Sequence, residues 1–199
     1  MKPFSPLSQL IDVGDSVVVV IDMQDWFLNS YAPSTAARLV AHVEWLCRLA
    51  QHFKVPLIAL SEDAAIKGGI NNTVKAALPP NSVIYDKFFF SVCRQPVAYN
   101  KILETRRSTV ILVGIVTDVC VAQSALELIQ EGLHVVVLAD ATFAPGFHHE
   151  LGLQRIRDAG GLVTSVTGLY YEWARGVDAC KLTRAQTDLL KRVPDDLIL

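Results

Sequence analysis

The chain has 199 residues, 51% of them apolar and 19% charged, with a formal net charge of −2. That balance predicts one globular domain with a substantial core, and it argues against an electrostatic binder of nucleic acid or of an anionic membrane surface. No apolar run approaches the roughly 20 residues of a membrane span, and the opening "MKPFSPLSQLIDVGDS" has no apolar signal segment, so a cytoplasmic protein is expected.

The first element is "SVVVVID" (16–22), where four consecutive valines without polar alternation predict a strand buried on both faces. Pro33, Ser34 and Thr35 then read as a helix start. Leu39, Val43, Leu46, Ala50 and Phe53 follow at helical spacing, with Cys47 on or beside the stripe as a core residue. "VPLIALS" (55–61) is a second strand, and "GGINNTVKAALPPN" (68–81) reads as a loop with a short helix. "SVIYDK" (82–87) is the third strand, a helix fits 94–105, and "STVILVG" (108–114) is the fourth strand. A helix over 119–131 has Thr117 or Asp118 as N-cap and ends at Gly132, a C′ glycine. "LHVVVLAD" (133–140), a helix over 147–159 and "GLVTSV" (161–166) complete the alternation. The class is therefore α/β, a doubly wound and mainly parallel six-stranded sheet with helices on both faces, Rossmann-like. A single domain spans 1–199, its core in 16–166. The extension 167–199 carries the aromatic run "GLYYEWARG" (168–176) and Leu182, Leu189, Leu190, Val193 and Leu197 at roughly helical intervals. It packs under its own domain or, with Tyr170, Tyr171 and Trp173 as anchors, against a second subunit.

In such sheets ligands bind outside the carboxyl ends of the strands, so the reactive residues there carry the functional reading. Asp22 ends the first run, where a carboxylate is costly unless partnered or used to cap a turn. Lys87 ends the third run, just before Phe88, Phe89 and Phe90, and its plain alternative is a solvated lysine. Cys120 follows the fourth strand in the first turn of a helix, where free N–H groups and the helix dipole are expected to lower a thiol pKa. Its plain alternative is a small buried filler. An acid, an amine and a thiol that converge would form a base, a cation and a nucleophile. The four cysteines lack CxxC spacing and the five histidines form no zinc pattern, so reduced thiols and no metal are expected.

Three segments give the resemblance. "VIDMQDWF", "YDKFFFS" and "VGIVTDVCVAQSALELIQEGLHVVVLADAT" resemble, in order and spacing, motifs of the isochorismatase-like cysteine hydrolase superfamily, which includes nicotinamidases and N-carbamoylsarcosine amidases. The resemblance covers about residues 16 to 166. It implies a catalytic triad of Asp22 as general base, Lys87 as cationic partner and Cys120 as nucleophile. It also implies a cis peptide between Ile115 and Val116, with the backbone N–H groups of Val116 and Cys120 forming an oxyanion hole. Nicotinamidases of the superfamily hold a metal with an Asp and two His after the second strand, but "ALSEDAAIKGGINN" has no histidine, and Glu62 with Asp63 is a poor transition-metal site.

The expected activity is metal-independent, cofactor-free hydrolysis of a small amide, ureide or related carbonyl compound through a thioester on Cys120. The alternatives are vinyl-ether (isochorismate-type) hydrolysis on the same fold, or a non-catalytic interaction protein. Isochorismatase-like members often carry an Arg soon after the lysine, where this chain has Phe88 to Phe90, so a substrate carboxylate lacks an obvious clamp from that segment unless Arg94 reaches in. Gln24, Trp26, Phe27, Phe88 and Cys93 are candidate pocket residues, with core packing as the alternative for Phe27 and Cys93. Asp118 is expected to cap or support, Asp140 to organise a turn, and His148-His149 to form a polar patch at a helix start. The expected partners are a small-molecule substrate and further copies of the chain, as a dimer or tetramer.

Overall fold

Ser16–Ile21 forms β1, and all six of its residues are buried, as an uninterrupted valine run requires. The remaining strands are β2 (Leu57–Glu62), β3 (Ile84–Lys87), β4 (Thr109–Ile115), β5 (His134–Phe143) and β6 (Leu162–Thr164). In the computed structural model, which describes residues 10–186, 188–191 and 193–197, they form one sheet ordered β3-β2-β1-β4-β5-β6. Every neighbouring pair is parallel. The six strands fall within the six apolar runs of the sequence, except that β2 reaches Glu62, β4 reaches Ile115 and β5 continues to Phe143.

The helices are α1 (Asp25–Leu28), α2 (Pro33–His52), α3 (Ala64–Lys67), α4 (Asn72–Ala76), α5 (Pro96–Glu104), α6 (Ala122–Gln130), α7 (His148–Asp158), α8 (Val166–Ala174) and α9 (Val177–Gln186). Strand periodicity divides the core in two. Val18 and Val20 face α2 and α8, whereas Val17, Val19 and Ile21 face α5, α6 and α7. Both faces are thus covered, and the ends of the strands are left for a site. Chain direction across the sheet reverses between β1 and β4, which is where a ligand crevice opens in this architecture.

Asp140 lies inside β5 rather than at its end, and both its carboxylate oxygens accept from Val166 N–H, capping α8. The extension packs on its own domain. Tyr170 and Trp173 are buried in the α2–α8 core, as are Leu189 and Leu197. Trp173 Nε1 donates to Ser16 Oγ at 3.2 Å, and Trp45 Nε1 donates to Leu189 O at 3.1 Å. Their burial removes Tyr170, Trp173 and Leu189 as anchors for a second subunit. The Leu190 side chain lies outside the described residues. Among the described residues, no helix is long and apolar enough to cross a membrane.

Candidate active site

Four adjacent strands deliver four chemically active side chains to one place. Asp22 follows β1 in the left-handed region, at φ 51°, where its N–H still donates to Leu60 O at 3.1 Å. Glu62 and Lys87 end β2 and β3 and are direct partners in the parallel register. Cys120 follows β4 in one turn of π-helix, Thr117–Val121, in which Val121 N–H donates to Val116 O at 3.2 Å. The peptide bond between Ile115 and Val116 is cis. Just before it, Gly114 sits at φ 113°, so close to β1 that an added Cβ would lie 1.9 Å from Ile21 O.

These side chains touch. Lys87 Nζ lies 2.7 Å from Asp22 Oδ2, 3.4 Å from Glu62 Oε2 and 3.5 Å from Cys120 Sγ. Cys120 Sγ donates to Glu62 Oε2 at 3.3 Å, and the other Glu62 oxygen accepts from Lys67 Nζ. Asp22, Lys87 and Cys120 are 1%, 2% and 3% exposed, and Glu62 is 8% exposed. Neither Asp22 oxygen holds a hydrogen bond of good angular geometry, although Lys87 and the Cys120 thiol both lie close enough to favour its charged form. Oxygens in that condition are poised to accept a proton or a donor.

The profile of the isochorismatase domain matches residues 16–168. This chain belongs to the isochorismatase family. Isochorismatase family protein 1B of Dictyostelium discoideum is 24% identical over 191 residues, covering 92% of this chain and 89% of that protein. Among solved structures, the MAR1 ribonuclease of Caenorhabditis elegans is 27% identical with a TM-score of 0.81, covering 96% of this chain and 97% of that one. The Escherichia coli YcaC gene product, described as an octameric hydrolase of unknown specificity, is 23% identical with a TM-score of 0.85, covering 97% and 95% of the two chains. The doubly wound sheet is the fold shared with the two solved structures, and the chain is an isochorismatase-family hydrolase.

Electrostatics separate the two carboxylates of this isochorismatase-family site. Burial pushes Asp22 up to about 6, against the opposing pull of Lys87. Burial also opposes charge on Glu62, but hydrogen bonds from Lys67 and Cys120, with the charges of Lys87 and Lys67, hold it below the usual carboxylate range. For Lys87, burial is outweighed by Asp22, Cys120 and Glu62, so the ammonium stays protonated. Burial and the Asp22 charge push the Cys120 thiol far up, and Lys87 only partly offsets them. The expected lowering of that thiol's pKa is therefore corrected: two nearby carboxylates and desolvation exceed what a helix start and one ammonium supply.

Asp22 is thus the carboxylate better suited to carry a proton and Glu62 the one better suited to stay anionic, a separation of the kind that acid–base pairs use. A base must be deprotonated to act, so raising its pKa moves the acid limb of activity upward. We expect kcat/KM to fall about tenfold per pH unit below about pH 6. A profile flat down to pH 4.5 would exclude Asp22 as the base.

The donor atoms of Asp22, Glu62 and Cys120 lie within 4.8 Å of one another, a spacing that suits metal ligands. Lys87 Nζ contacts all three, however, so the chain supplies its own cation where an ion would sit. This donor set does not fit the metal that nicotinamidases hold.

The other expected pocket residues separate. Gln24 is fully buried and does not line a pocket. Its Nε2 donates to Glu62 O and Gly68 O, and its Oε1 accepts from Glu62 N–H, which braces the Glu62 backbone. Phe27 is half-buried beneath Lys67 Nζ, 5.1 Å from the ring centroid, and Trp26 is exposed. Phe88 is 73% exposed and lines a cleft of about 360 Å³ with Phe89, Phe90, Arg94, Gln123 and Glu127. Cys93 packs against the α5–α6 core, and Arg94 is paired with Glu127 through two hydrogen bonds. Thr117 and Asp118 are not N-caps. Thr117 Oγ1 pairs with His149 Nδ1 at 2.9 Å and Asp118 with His148 at 3.3 Å, fastening the turn to α7. Glu62 as a partner of Cys120, and Lys67 as the partner of Glu62, are the contacts of the cluster that sequence reasoning missed. Glu62 carried the same signal as Asp22, a carboxylate ending an apolar strand.

Proposed function

We propose that this chain is a metal-independent cysteine hydrolase of small amides or ureides, working through a thioester on Cys120. The supporting observation is the buried contact of one thiol with one ammonium and two carboxylates of different proton affinity. Asp22 takes the thiol proton as Sγ forms a bond to the substrate carbonyl carbon. The carbonyl electron pair moves onto oxygen, which accepts from the Val116 and Cys120 N–H groups. Lys87 stabilises the negative charge that develops at the thiol and the oxygen. Collapse breaks the C–N bond, and Asp22 returns its proton to the leaving nitrogen. Water then attacks the thioester, giving a proton to Asp22, and the departing thiolate takes that proton back.

The same geometry gives isochorismate-type substrates little support, because Lys67 and Lys87 are each held by a buried carboxylate and Arg94 is paired with Glu127. Among the described residues, the lysines nearest the thiol are likewise already paired and unfavourable for the phosphodiester that a ribonuclease would cleave. A cytoplasmic setting suits the unpaired thiols, all four of which are free. Homo-oligomers, like the octamer of the E. coli relative, remain part of the proposal, with a contact surface other than Tyr170, Trp173 and Leu189.

Ammonia release from a panel of small amides and ureides, run with and without a chelator, tests this reading. Turnover of one class, undiminished by the chelator, with an acid-quenched mass adduct on the Cys120 peptide, is the expected result. A stoichiometric zinc or iron required for turnover would overturn it.

A further inference from the structure

The proposed chemistry uses Asp22, Lys87 and Cys120 but leaves Glu62 without a task, although it is the carboxylate aligned on the thiol, with Oε2 at 3.3 Å. Its position is heavily specified. Gln24 holds its N–H and its carbonyl, Asp63 turns the chain directly after it at φ 47°, and Lys67 binds its second oxygen from α3. A carboxylate beside a nucleophile is costly to keep there, since it raises the thiol's proton affinity and repels a thiolate. Glu62 is also the most exposed of the four buried groups.

We infer that Glu62 is the specificity residue of this site, an anion at the nucleophile that accepts an N–H from a neutral amide or ureide substrate and turns away substrates bearing a carboxylate. The inference rests on the cysteine-hydrolase reading and deepens it to a substrate class. An oxygen beside Sγ is placed to accept from the nitrogen of a carbonyl compound attacked there. The same oxygen meets an incoming carboxylate with like charge, and Lys67 and Lys87 are already engaged. Lys67 sets the strength of this filter, because its ammonium sits between Glu62 Oε1 and the Phe27 ring and neutralises part of the charge.

Iodoacetamide and iodoacetate test this without any knowledge of the substrate. They share one reaction, in which a carbon–sulfur bond forms, iodide departs and the thiol proton is lost to base, and they differ in one being a neutral amide and the other a carboxylate. The readout is the ratio of their rates at Cys120, mapped by mass, in the full-length protein. Glu62→Gln keeps the shape and removes the charge, so the preference for iodoacetamide should shrink roughly tenfold. Lys67→Met keeps the stem over Phe27 and removes the opposing charge, so the preference should grow. Opposite shifts in two folded variants cannot come from a general loosening of the site. Ratios unchanged in both variants, or shifted in the same direction, overturn the inference while leaving Cys120 as nucleophile. Absence of any labelling of Cys120 in the unaltered protein overturns the nucleophile assignment and this inference together.

Discussion

Cys120→Ala is expected to lower turnover roughly 10⁴-fold or more, because no neighbouring group can replace the sulfur as the atom that carries the acyl intermediate. Cys47 is buried in the α2 core with its pKa pushed up to about 12 by burial, and Cys93 is packed against the α5–α6 core. The fold should survive, since the lost contacts are those with Glu62 and Lys87, which remain paired with Lys67 and Asp22. Initial rates on whichever substrate the panel identifies, with circular dichroism to check folding, decide the matter. Cys93→Ser serves as the control and should keep nearly full activity. More than about 1% residual activity in a folded Cys120→Ala protein would exclude the thioester route.

Gly114→Ala is the substitution with the largest expected effect on the fold. Its added methyl would sit 1.9 Å from Ile21 O and 2.8 Å from Ile21 C, both main-chain atoms of the central strand. Those atoms cannot rotate aside as a flexible side chain can, and φ 113° is itself unfavourable for an L residue. Either β1 and β4 separate at their carboxyl ends or the chain does not fold. The expected loss is more than about 4 kcal/mol, in the range reserved for severe core disruption. A denaturant titration checks it, and a midpoint equal to that of the unaltered protein would contradict the close approach. Because Asp22 and Cys120 follow these two strands directly, any protein that still folds should be inactive.

The sheet was legible because its signals are local. Val17 to Val20 admit only a strand buried on both faces, and Gly132, at φ 83°, ends α6 where C′ chemistry requires it. Asp22, Lys87 and Cys120 were legible as polar residues at strand ends. What escaped depends on contacts distant in sequence. A helix start alone argues for a lowered thiol pKa, but burial in the folded core and then the charges of Asp22 and Glu62, 98 and 58 positions away in the chain (120 − 22 and 120 − 62), raise it instead. Glu62 was weighed only as a metal ligand, since nothing near it in sequence shows that Lys67 and Cys120 will meet it. Gln24 read as a pocket residue because its motif gives composition, not direction, and its amide turns to the backbone of β2. The N-cap at Thr117 or Asp118 failed because the turn there is wider than an α-helix, and α7 takes those side chains instead.

The protonated resting thiol has a consequence for the protein's durability. Oxidants convert thiolates to sulfenic acid far more readily than thiols, so cysteines kept ionised at rest are the ones consumed by peroxide between turnovers. Here the burial and the paired carboxylates that hold the proton on Cys120 also withhold the oxidisable form. In the proposed mechanism the sulfur becomes nucleophilic only as Asp22 removes its proton during attack. The unfolded chain, by contrast, carries an ordinary thiol with a pKa of about 8.5. On that mechanism, folding keeps the sulfur out of its most oxidisable form at rest while leaving it open to an electrophile whose attack lets Asp22 take the proton.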